Sequence, residues 1–175
     1  MLSILQLIVN TVATILGGVL LLRFWMQAIR VRPPQSVGHF IFTLSDWLVK
    51  PLRRVVPGVA GYDWASLIGA FLVVLLATSI YFFAGLDFQT VFLMALHRFL
   101  TWMIWGLIGL LIVEAIFSWV NPQAPLAPFV RALNDPLVRP VRKVVPLVGG
   151  IDFSLLVVLI LLQIALIVIG KLFGM

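Results

Sequence analysis

Two stretches repeat one arrangement of charges and prolines: "KPLRRVVPGVAGYD", from Lys50 to Asp63, and "RPVRKVVPLVGGID", from Arg139 to Asp152. Each places a cation pair, Arg53–Arg54 or Arg142–Lys143, ahead of an aspartate that opens an apolar run. Acids at the mouths of apolar spans can relay protons or cations. They can also cap helices, where a carboxylate accepts orphan N–H groups and complements the helix dipole. Capping is the expected role of Asp63 and Asp152. The cations can hold anionic headgroups, each worth about 1 kcal/mol near a charged leaflet, or they can simply orient the chain. Pro51, Pro57, Pro140 and Pro146 bracket these stretches, and Pro51 and Pro140 are expected to kink or break a helix. Two further charges, Arg23 and Glu114, lie at similar depth near the ends of apolar runs. A lone charge in a span costs about 2.5–3.5 kcal/mol on insertion scales and usually finds a partner. An Arg23–Glu114 pair is therefore expected, with independent snorkelling to the interface as the alternative.

Other chemistries are missing. With no cysteine, the chain has no disulfide, thiolate metal site or cysteine nucleophile. His39 and His97 are expected on opposite sides of a membrane, where they cannot share a metal. No Gly-rich phosphate loop, zinc spacing or serine–histidine–aspartate arrangement is present. Neither enzymatic activity nor a cofactor or metal is expected.

The elements that position these residues follow from composition. Of the 175 residues, 63% are hydrophobic and 10% charged, and the mean hydropathy is +1.20. Soluble domains are about half apolar and about a quarter charged. A bilayer core needs roughly 20 apolar helical residues. Four runs qualify, at about 4–22, 64–84, 99–120 and 153–169. Continuous runs of this kind argue for helices. Gly106 and Gly109 are expected to allow close helix packing. Arg30, Arg32, Lys50, Arg53 and Arg54 fall between the first two runs, and Arg131, Arg139, Arg142 and Lys143 between the last two. The positive-inside rule puts both connectors in the cytoplasm and both termini outside, in a bacterial inner membrane. Lys171, near the outer end of the last run, dissents mildly.

A shift of 89 residues aligns the connectors, pairing Asp46 with Asp135, Arg53 with Arg142, Gly61 with Gly150 and Asp63 with Asp152. The expected fold is an all-α membrane protein of four transmembrane helices in two tandem parallel repeats, each a span, an amphipathic basic connector and a span. The first repeat covers 1–86 with connector 23–63, and the second covers 87–175 with connector 121–152. In the first connector Val37, Phe40, Ile41, Leu44 and Leu48 form an apolar helical face suited to the headgroup boundary.

The motif Pro51–Asp63, its second copy Pro140–Asp152 and "FSWVNP" at Phe117–Pro122 resemble the YggT (YlmG) family of small bacterial and plastid membrane proteins. The resemblance covers essentially the whole chain. It departs from the family pattern at Glu114, which stands where an arginine is often seen, and at Gln27 and Ala28, which replace a serine–tryptophan. The resemblance implies an integral membrane protein without known catalysis, linked to stress tolerance, division and nucleoid organisation, and cytochrome assembly in plastids. The expected function is a non-enzymatic scaffold or assembly factor whose connectors touch lipid headgroups and a partner complex, such as membrane, division or assembly proteins. The alternative is a channel or transporter subunit, a homo-oligomer assembled around Gln6, Asn10, Gln163 and the level of Arg23 and Glu114. A nucleic-acid partner is disfavoured, because the cation clusters are short and lie close to the bilayer.

Overall fold

The computed structural model describes residues 2–58, 61–145 and 153–174. Its α-helices are α1 (Leu2–Ala28), α2 (Gln35–Val55), α3 (Trp64–Thr78), α4 (Phe88–Val120), α5 (Ala127–Arg142) and α6 (Ser154–Leu172). A 3₁₀ helix, Ser79–Ala84, extends α3. Among the described residues, four helical stretches are long and apolar enough to cross a membrane: Ile4–Ala28, Trp64–Ala84, Phe88–Val120 and Ser154–Leu172. Large apolar side chains such as Leu7, Leu76, Trp105 and Leu172 point away from the bundle. In water this surface would be an aggregation hazard, whereas in lipid it is the solvated face.

Helix α1 packs on α3, α3 on α4 and α4 on α6, while α2 lies across α1 and α3 and α5 across α4 and α6. Small residues make the close approaches, with Ala13, Ala65, Ala70, Ala77 and Ala95 sharing a core with Leu20, Val49 and Val74. Gly17 faces Trp102 so closely that a Cβ there would lie 2.6 Å from the indole. Gly106 and Gly109 do not serve the expected packing role: a Cβ at either meets nothing within 4 Å.

Two spans are longer than the apolar runs suggest. α1 continues past Leu22 to Ala28 and so holds Arg23 inside a helix. α4 begins at Phe88 rather than near Phe99, with Asp87 as its N-cap, whose side chain accepts from Thr90 N at 3.2 Å. Of the break or kink expected in the connector helices, the break does not occur. α2 runs unbroken through Pro51, and α5 through Pro136 and Pro140. Proline removes one hydrogen bond and crowds the preceding turn. Contacts on both sides of Pro51 hold the helix together, because Leu48, Val49 and Leu52 all pack into the α1–α3 core. The face of α2 turned to the protein is Gly38, Ile41, Ser45 and Val49. Phe40 and Trp47 point outward.

Candidate functional site

The largest polar cluster lies where α1, α2 and the start of α3 meet. Arg23, 5% exposed, reaches from α1 towards α2. Its Nη1 donates to Ser45 Oγ at 2.6 Å and to Asp46 Oδ1 at 2.7 Å. Its Nε lies 3.6 Å from Asp63 Oδ2, close enough for an ion pair. Arg53 grips Asp63 with two hydrogen bonds, Nε to Oδ1 at 3.2 Å and Nη2 to Oδ2 at 2.6 Å. Ser66 Oγ donates to the same carboxylate, and Lys50 pairs with Asp46 at 2.9 Å. Two guanidinium groups and two carboxylates thus neutralise one another, with Arg23 and Asp63 buried and Arg53 and Asp46 reaching towards solvent. Buried charges require such pairing, and the fork on Asp63 is its strongest form.

Electrostatics follow from these contacts. The Lys50 hydrogen bond, then that of Arg23, holds Asp46 below the usual carboxylate range. Burial alone would push Asp63 up, but Arg53 and Ser66 outweigh it and the net shift is downward.

A second cluster joins α4 and α5. Asn134 Nδ2 donates to Glu114 Oε2 at 2.8 Å and to Leu110 O at 2.9 Å. Arg142 Nη2 stands 3.9 Å from Glu114 Oε1. The expected Arg23–Glu114 pair does not form, because each residue is engaged by the connector helix beside its own span. Between the clusters, Trp25 Nε1 donates to Leu133 O at 2.9 Å, tying α1 to α5. Val19, Met26, Ile41 and Leu133 pack around that link.

Asp63 occupies the N-cap position of α3, but its side chain makes no capping hydrogen bond. The Arg53 fork and Ser66 take its oxygens instead. Asp152 and Pro146 lie outside the described residues. Pro57 follows the end of α2 and is exposed, as are Arg54 and Lys143.

At the other end of the spans, Gln6 Nε2 donates to Tyr81 Oη at 2.8 Å, and Arg98 Nη1 donates to Asn10 Oδ1 at 3.0 Å. Arg98 also lies over Trp102, 4.8 Å from the ring centroid. Gln163 is not part of this group and sits exposed on α6. His97 rests beside Phe173, with 5.3 Å between ring centroids. Among the described residues no three metal-ligating side chains come together. Sequence reasoning missed Ser45, Ser66 and Asn134, which are short polar residues on otherwise apolar faces. That placement was the available signal.

Four apolar helices joined by polar connectors define a multi-pass, all-helical membrane protein. A family model described as CCB3/YggT matches residues 1–86 and 93–173, and the chain belongs to that family. It is 31% identical to the protein YggT of Escherichia coli K12, across 91% of this chain and 86% of that one. A Vibrio alginolyticus protein is 28% identical across 95% and 94%, and a Haemophilus influenzae protein 30% identical across 89% and 86%. All three are described as uncharacterized. No solved structure matches.

Proposed function

We propose that this chain is a non-enzymatic membrane scaffold or assembly factor, built as two tandem units, 1–86 and 87–175, with both connector helices on the cytoplasmic face of a bacterial inner membrane. The observation that carries this reading is the Arg23–Asp46–Arg53–Asp63 network. It fastens α2 to the ends of α1 and α3, so the connector is a fixed surface rather than a loose tether. Lys50, Arg54 and Lys143 remain exposed on that surface, available to anionic headgroups and to an acidic partner. Arg53 and Arg142, which face Asp63 and Glu114, chiefly hold the connectors in place. A duplicated origin is supported by the two separate segments that the family model matches. A tie to stress tolerance or division rests on the family resemblance.

The channel reading is less well supported. Between the Gln6–Tyr81 end and the Arg23 network lies an apolar layer of Ala13, Leu20, Ala70, Val73 and Val74. A conduit would need several copies to supply a polar lining. Co-purification from membranes in mild detergent tests the scaffold. Arg54→Gln with Lys143→Gln is expected to lose the partner recovered with the unaltered chain, at unchanged thermal stability. Recovery of the same proteins by both forms, together with ion flux from reconstituted vesicles, would favour the conduit.

A further inference from the structure

Two cavities share one face of α1. The first, about 440 Å³, is cut between α1 and α4, with Gly18, Leu22, Trp25, Trp102, Trp105 and Gly106 among its walls. The second, about 530 Å³, lies past the ends of both spans and is lined by Ile29, Val31 and Pro122 together with Arg131 and Asp135 of α5. Gly18, Leu22 and Trp25 form one stripe along α1, and Ile29, bonded back to Trp25 O just past its end, carries the apolar groove towards the polar cavity. Gly18 and Gly106 hold the groove open: a Cβ at either meets nothing within 4 Å. Both volumes fall within the roughly 300–1,000 Å³ typical of small-molecule sites.

The charges in the second cavity indicate the occupant. Arg131 and Asp135 stand one turn apart on α5 and line the same space. Neither takes part in a hydrogen bond or ion pair among the described residues. An anion-binding cavity would not carry a half-buried carboxylate, and a cation-binding cavity would not carry an arginine. We propose that the two cavities form a site for a single phospholipid with a zwitterionic, primary-amine headgroup, phosphatidylethanolamine. One acyl chain lies in the α1–α4 groove, the phosphate meets Arg131, and the ammonium donates to Asp135. The site goes beyond the scaffold reading and uses neither Arg54 nor Lys143, so either proposal can fail alone.

The test uses the full chain in mild detergent, incubated with equal amounts of phosphatidylethanolamine, phosphatidylcholine and phosphatidylglycerol bearing the same acyl chains. Retained lipid is read by native mass spectrometry. Phosphatidylethanolamine is expected in excess over both others. The trimethylammonium of phosphatidylcholine cannot donate to Asp135, and phosphatidylglycerol carries no cation. Asp135→Asn should cut the preference over phosphatidylglycerol by roughly tenfold, the value of one charge-assisted hydrogen bond. Arg131→Gln should weaken retention of all three lipids. Gly106→Leu fills the groove with a better helix former and should lower retention of all three without lowering the unfolding temperature. Equal retention of phosphatidylglycerol and phosphatidylethanolamine overturns the proposal, as does an unchanged preference in Asp135→Asn. It also falls if Gly106→Leu leaves lipid bound but splits a dimer, which would assign the groove to a second copy of the chain.

Discussion

Asp63 is the carboxylate on which the two guanidinium groups of the Arg23 network meet: it takes both arms of the Arg53 fork, the Ser66 hydroxyl and the nearby Arg23 Nε. Asp63→Asn keeps the shape but takes the anion from Arg53 and leaves Arg23 with Asp46 alone. It should cost about 3 kcal/mol, the low end for breaking a buried pair, since Arg53 is partly open to solvent. Thermal unfolding in detergent, followed by circular dichroism, measures it. The same residue sets an acid limit. Asp46 and Asp63 titrate lower in the folded chain than in the unfolded one, so on acidification the unfolded state takes up protons first. Their contribution to stability holds from neutral pH down to about 4, the ordinary carboxylate value. It is lost as pH falls through the folded values, and Asp63→Asn should flatten that loss in a pH series of unfolding temperatures. The position of Asp63 ahead of an apolar run marked it as an N-cap, and it stands there. Its partner was hidden because Arg53 meets it only once α2 has folded back against α3. The partners of Arg23 were hidden for the same reason. Depth in the membrane suggested Glu114, whereas the fold supplied Ser45 and Asp46 on the adjoining helix.

Helix-to-helix fit depends on which glycines are pressed and which are not. Gly17 is pressed by the Trp102 indole, itself held under Arg98. Gly17→Ala should therefore destabilise the bundle by about 1–2 kcal/mol through overpacking. Gly109 meets nothing, so Gly109→Ala should stabilise it by up to about 1 kcal/mol through helix propensity alone. Unfolding temperatures of the two variants should move in opposite directions. The sequence pointed to Gly106 and Gly109 within an apolar run as packing glycines, while the contact that matters lies at Gly17. A glycine in an apolar run marks a place where helices can approach, but not which neighbour its face meets. The prolines carry a similar lesson. Local propensity predicted a break or a kink at Pro51 and Pro140; tertiary packing on either side of each carries the helix through without a break.

At the scale of the whole molecule, the four spans were legible because eighteen or more apolar residues in a row have few other uses. The proposed orientation makes a direct prediction, helped by the lack of native cysteine. In intact cells a membrane-impermeant maleimide should label Phe83→Cys, and should reach Arg54→Cys and Lys143→Cys only after permeabilisation. Labelling of either connector from outside would reverse the topology. The helices are also unequal. α4 has 33 residues and α6 has 19, or about 50 Å against about 28 Å at 1.5 Å per residue. The contact between Phe173 and His97 shows where α6 runs out along its longer neighbour, leaving the turns from Phe88 onward as an overhang. A thicker bilayer can draw that overhang inward, but α6 has no spare length to follow. A change in lipid thickness therefore falls unequally on the two helices, taken up by the overhang of α4 and by the lipid around the end of α6.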